Sequence, residues 1–197
     1  MNIMYILAHP DDAEIWCGGT ILRQLERGDR VRVLYLYATN DRRQEALLLT
    51  KNGVEVEFAR PKPNNVRRRI REFKPNVIVT HWFKDCHHEH KSCFENLYSI
   101  LPELLVFDGV KFSLYVCDTY NSVGFDNSTF KPSKYVDVTK YITDKKNLIR
   151  RHVSQPADYF IGMVEKQNVA WGNEDNCKYA EAFLQLPLQG IIYEYEL

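Results

Sequence analysis

The chain has 197 residues, 45% of them hydrophobic and 26% charged, a balance that suits one globular domain spanning residues 1–197 and excludes a largely disordered chain. Lys+Arg 26 cancels Asp+Glu 26, which argues against a general nucleic-acid binder, because phosphate backbones demand a surplus of cations. No apolar run approaches the ~20 residues of a membrane span, and the five cysteines, odd in number and without a CxxC pair, suit reduced thiols and a cytoplasmic location.

Asn2 to Ala8 reads as a first strand ending at His9-Pro10-Asp11-Asp12, where Pro and Asp mark a turn and the capped start of a helix. That helix turns Ile15, Ile21, Leu22 and Leu25 inward and stops at Gly28. Val31 to Tyr37 is a second strand, followed by a helix from Thr39-Asn40-Asp41 through Leu49 to Gly53. Val54 to Phe58 is a third strand. Val66, Ile70 and Phe73 form the apolar stripe of the next helix, which Pro75 ends. The basic run Arg67-Arg68-Arg69 and Arg71 lies on the opposite side of that helix and reads as a solvated face rather than an RNA site. Asn76 to Thr80 is a β-branched fourth strand that delivers His81 to a loop. Phe112 to Cys117 is a later strand, with helices around Thr139 to Arg151 and Ala157 to Trp171.

Repeated strand–helix pairs with apolar strands imply an α/β fold, with a Rossmann-like, mostly parallel sheet and helices on both faces. Ligands of such sheets bind beyond the carboxyl ends of the strands. Both polar clusters of the chain fall there: His9, Asp11, Asp12 and Glu14 after the first strand, and Asp85-Cys86-His87-His88-Glu89-His90 after the fourth. Either alone could be a capped helix start or a solvated loop. Together, at two strand ends of one sheet, they predict a metal site. Two imidazoles and one carboxylate with an open position are what a catalytic zinc needs, and a further carboxylate and imidazole could serve as base and acid.

His9-Pro10-Asp11-Asp12-Ala13-Glu14 and Asp85-Cys86-His87-His88-Glu89-His90 resemble the two signatures of the PIG-L/LmbE-like family of zinc-dependent N-deacetylases. Cys17-Gly18-Gly19-Thr20, Arg42-Arg43-Gln44-Glu45-Ala46, Val136-Asp137-Val138-Thr139, His152-Val153-Ser154-Gln155 and Tyr179-Ala180-Glu181-Ala182-Phe183 extend the likeness along the chain. The resemblance implies that His9, Asp12 and His90 bind the metal and that Asp11 is the general base. His87 would stabilise the oxyanion or act as acid, with Glu89 holding its ring and favouring the imidazolium. Arg42 and Asp85 would lie on the substrate side. Glu89 stands where the family usually has Asp, one methylene shorter. His81 and His88 have no family role and read as loop or substrate-facing residues.

The implied activity is that of a zinc-dependent (or other divalent-metal) amidohydrolase removing an acetyl or similar small acyl group from an N-acylated amino sugar or its conjugate. The partner is then a small molecule, with no nucleic acid and no membrane span, and self-association as a homo-oligomer stays open. The alternative is a catalytically inactive metal- or glycan-binding module, which would have no need of Asp11. Trp82, Phe83, Tyr120 and Trp171 would suit a sugar cleft, but aromatic residues are more often core, so none is counted as a site residue. A nucleotide-binding reading fails because no Gly-x-Gly-x-x-Gly or Walker A motif follows the first strand.

Overall fold

Alternating apolar and polar segments with turn signals between them build a seven-stranded sheet, which the computed structural model describes over residues 1–197. The strands are β1 (Asn2–Leu7), β2 (Arg30–Tyr35), β3 (Glu55–Phe58), β4 (Val77–His81), β5 (Ser113–Cys117), β6 (Lys134–Asp137) and β7 (Ala180–Leu186), in the spatial order β3-β2-β1-β4-β5-β7-β6. β1 to β5 are mutually parallel, and β7 runs antiparallel to both β5 and β6. The helices are α1 (Asp12–Glu26), α2 (Asn40–Ala46), α3 (Pro63–Phe73), α4 (His88–Tyr98), α5 (Ile142–Ile149) and α6 (Ala157–Glu174). The expected mostly parallel α/β sheet with helices on both faces is thus present.

Because side chains alternate along a strand, β1 feeds two cores. Ile3, Tyr5 and Leu7 enter a 28-residue cluster with α1, α5 and α6, and Met4, Ile6 and Ala8 enter a 17-residue cluster with α3 and α4. α3 buries Val66, Ile70 and Phe73 as its stripe requires. Its basic face is largely neutralised at home: Arg67 grips Asp108 through two bonds of 2.7 and 3.0 Å, and Arg69 lies 2.9 Å from Glu57.

β6 and β7 have no counterpart among the expected strands. β7 hides because its sequence interrupts an apolar run with Glu181, which is nonetheless buried. Glu181 accepts from Lys145 Nζ at 2.7 Å and from the backbone N–H groups of Gly19 and Thr20 at 2.9 and 2.8 Å; Asn168 Oδ1 takes a further Lys145 proton at 3.0 Å. A buried pair satisfied this fully fixes β7 against α1 and α5. Gly19 permits the close approach, since a Cβ there would stand 2.6 Å from Val138.

Candidate metal centre and active site

The order of the sheet makes β1 and β4 direct neighbours, with Ile6 beside Thr80 in register. The loops that leave their carboxyl ends therefore meet, although they are some eighty positions apart in sequence. The first leads into α1 with Asp11 at its N-cap and Asp12 and Glu14 in its first turn; the second leads into α4, where His87 is the N-cap and His90 sits in the first turn. Asp11, Asp12, Asp85, His81 and His90 are all buried, and such a concentration of ionisable groups persists only if they compensate one another.

His9 Nδ1 lies 3.3 Å from His90 Nε2 and 3.4 Å from Asp12 Oδ2, and His90 Nε2 is 3.4 Å from Asp12 Oδ1. Ligands about 2.0–2.2 Å from a tetrahedral ion stand roughly 3.3–3.6 Å from one another; the two imidazole nitrogens meet that spacing directly, and each has a different oxygen of Asp12 within 3.4 Å. Each imidazole also has a carboxylate behind it. His9 Nε2 is 2.6 Å from Glu89 Oε2, and His90 Nδ1 is 2.9 Å from Asp85 Oδ2. These contacts fix both rings so that Nδ1 of His9 and Nε2 of His90 are left to the ion. Asp12 is steadied by the His9 backbone N–H, which donates to Oδ2 at 2.6 Å.

His90 belongs to two groups whose donor atoms all lie within 4.8 Å, His9–His87–His90 and Asp12–His81–His90. Local bonding argues against the outer member of each. His87 Nδ1 accepts the Glu89 backbone N–H at 3.3 Å, and His81 Nε2 accepts the Ala8 backbone N–H at 3.0 Å. His9, Asp12 and His90, the ligands that the family resemblance implies, are thus brought together, two of them in the first group and two in the second.

The electrostatics follow from crowding. Burial works against a charge on His90, but Asp12 and Asp85 outweigh it and push its pKa up to about 10. Burial and the adjacent His90 hold His81 down to about 4. Burial and the neighbouring Asp12 raise Asp11 to about 6, with Arg42 and His152 pulling the other way. Arg42 reaches from α2 to pair with Asp11 Oδ1 through Nη2.

Three expectations change at this point. Glu89 does not hold the His87 ring: with its extra methylene the carboxylate reaches His9, and only its backbone N–H meets His87. His87 is accordingly not driven toward the imidazolium; burial and the nearby His90 and His9 lower its pKa. Asp85 cannot face substrate, because it has no exposed surface and spends its oxygens on His90 and on the His87 backbone N–H, 2.7 Å away. His81 is neither loop nor substrate-facing. It ends β4, is fully buried, and stacks on His90 at 3.8 Å between centroids with an 11° interplanar angle. The signal was its place directly after the β-branched run of Val77 to Thr80. His88 is exposed and stacks on His87 at 5.2 Å.

Two further residues shape the site. His152 lies 3.0 Å from Glu14 Oε1, in a geometry too bent for a directed hydrogen bond, so the contact is one of charge. Tyr120 stands beside the cluster, edge-on to Trp16 at 5.1 Å and nearly parallel to His90 at 6.0 Å. Trp82 and Trp171 are core and support residues instead, packed around Phe130.

Residues 4–60, which carry the first signature, match the family model described as PIG-L: GlcNAc-PI de-N-acetylase. The fold is shared along the whole chain with solved structures of low identity. A conserved protein from Thermus thermophilus is 18% identical with a TM-score of 0.80, each chain 99% covered. The 4-carboxy-2-hydroxymuconate hydratase GalB from Pseudomonas putida is 17% identical with a TM-score of 0.79, covering 100% of this chain and 99% of that one. N,N'-diacetylchitobiose deacetylase from Pyrococcus horikoshii is 18% identical with a TM-score of 0.76, covering 95% of this chain and 84% of that one. The family match thus covers the first three strands and the first signature, and the fold is shared with these structures over the full length.

Proposed function

We propose that the protein is a metal-dependent N-deacetylase, with zinc as the ion and an N-acylated amino sugar or its conjugate as substrate. The observation that carries the reading is the meeting of His9 Nδ1 and His90 Nε2, 3.3 Å apart, with the buried Asp12 carboxylate, which sets Oδ2 3.4 Å from the first and Oδ1 3.4 Å from the second, and with a further buried carboxylate, Asp11, beside it. The fold alone does not choose the reaction, since it is shared with a hydratase as well as a chitobiose deacetylase. The family match supports the deacetylase.

A zinc ion held by His9, Asp12 and His90 would supply Lewis acidity for an acyl carbonyl and would lower the pKa of water toward ~7. The chain's own residues divide the remaining work. Arg42 engages Asp11 Oδ1 and leaves Oδ2 to take a proton from the attacking water. His87, with Nδ1 occupied by the Glu89 N–H, carries its proton on Nε2 and can donate to the carbonyl oxygen as negative charge develops there. As the C–N bond breaks, the proton held by Asp11 passes to the leaving amine, and the products are a carboxylic acid and a free amino sugar. Asp85 and Glu89 hold ligand rings and touch no substrate in this scheme.

The test is amine release by the zinc-reconstituted protein from a panel of N-acetylated amino sugars and their conjugates. Release from at least one member, lost in Asp11→Asn, is the expected result. No release from any member, with tight binding of the same sugars, would favour a glycan-binding module.

A further inference from the structure

The turn after β5 is held in an unfavourable backbone conformation by an unusual number of contacts. Asn121 and Ser122 are consecutive non-glycine residues with φ of 52° and 57°, in the left-handed region that such residues seldom occupy. Asp118 pins the turn from its start. Its carboxylate accepts from the Thr119 N–H at 2.8 Å, Ser122 Oγ at 2.7 Å, Gln167 Nε2 at 3.0 Å and Trp171 Nε1 at 2.7 Å. Gln167 also donates to the Thr119 carbonyl at 2.8 Å, and the Phe130 N–H closes the far side on the Ser122 carbonyl at 2.8 Å.

What this scaffold achieves is the placement of Tyr120. Asn121 is exposed and Ser122 is spent on Asp118, whereas the Tyr120 ring is set between Trp16 and His90 at the edge of the metal-ligand cluster. The hydroxyls of Tyr5, Tyr35, Tyr37, Tyr115 and Tyr141 are each bonded within the protein. The Tyr120 hydroxyl makes no such bond, as is true of half-buried Tyr135, Tyr179 and Tyr193, but Tyr120 is the one of the four whose ring lies beside His90. A phenol held rigidly beside the candidate ligand cluster with its hydroxyl unused is a ready hydrogen-bond donor for a ligand. We infer that Tyr120 is a substrate-binding residue whose hydroxyl donates to an oxygen of the bound N-acyl sugar. The inference deepens the deacetylase reading and rests on it.

Tyr120→Phe keeps the ring, its packing and the turn, and removes only the donor. In the zinc-loaded full-length protein, with the urea midpoint and zinc content unchanged as controls, kcat/KM on the best panel substrate should fall about tenfold. A fall in kcat would identify the acyl carbonyl as the acceptor, and a rise in KM alone a sugar hydroxyl; both support the inference. An unchanged kcat/KM overturns it. If the wild type turns over no panel member, the deacetylase reading fails separately, and Tyr120 is tested by calorimetric binding of N-acetylglucosamine. Weaker binding by Tyr120→Phe sustains its role, and equal binding, or none by either protein, overturns it.

Discussion

Glu89 Oε2 lies 2.6 Å from His9 Nε2, a contact between residues eighty positions apart that ties the loop after β4 to the loop after β1. Asp85 does the same for His90 from within its own loop, at 2.9 Å. Each candidate imidazole ligand is thus oriented by a carboxylate, and the first of these contacts depends on the length of a glutamate side chain.

Removing that support should weaken metal binding without unfolding the protein. Glu89→Ala and Glu89→Asp, the second too short to reach His9, are expected to lose about 10–100-fold in zinc affinity. Competition with a chromophoric chelator measures this. An affinity equal to wild type would mean that His9 needs no such partner.

Close packing at Gly19 is a second point of sensitivity. A Cβ placed 2.6 Å from Val138 must push α1 away from the chain leading out of β6 and strain the Glu181 contacts with the Gly19 and Thr20 N–H groups. Gly19→Ala should lower stability by about 1–3 kcal/mol, read from urea unfolding.

Asp118 offers a test of the turn that carries Tyr120. In Asp118→Ala the Trp171 indole N–H and the Ser122 hydroxyl lose their acceptor. The expected loss is about 2 kcal/mol or more, since a buried donor left unpaired costs about 1–3 kcal/mol. Unchanged urea and thermal midpoints would show that the turn does not need its anchor.

His152 should make stability depend on pH. Burial opposes its charge, but Glu14, Asp11 and Glu45 outweigh burial and raise its pKa above 6.5. A histidine raised on folding contributes stability that is fully present below its unfolded pKa and disappears as pH rises through the folded value. The urea midpoint of the wild type should therefore fall more between pH ~6 and ~9 than that of His152→Gln. Parallel pH profiles would remove His152 from the charge balance of the site.

Much of this architecture was legible in the sequence because periodicity and turn chemistry are local. The β-branched run of Val77 to Thr80 and the stripe of Val66, Ile70 and Phe73 state their structures directly. β7 was not legible, because Glu181 is tolerated in a buried strand only by virtue of Lys145 and two backbone N–H groups that no local pattern announces. The same limit applies at the site. Spacing and family resemblance brought the two clusters forward, but which carboxylate supports which imidazole depends on how α4 is set against the loop after β1. For that reason the sequence points Glu89 to His87 and Asp85 to the substrate, whereas the folded chain sets Glu89 on His9 and Asp85 on His90. His81 reads as a loop residue in the sequence for a related reason, since a strand's last residue and a loop's first look alike until the sheet is assembled.

The most direct test of the central claim is metal content by elemental analysis after zinc reconstitution, for the wild type, Asp11→Asn and His90→Ala. The expected result is about one zinc per chain in the wild type and in Asp11→Asn, and little in His90→Ala, as three protein ligands are the number a catalytic zinc site uses. Zinc retained in full by His90→Ala, or absent from the wild type, would contradict a site built on His9, Asp12 and His90.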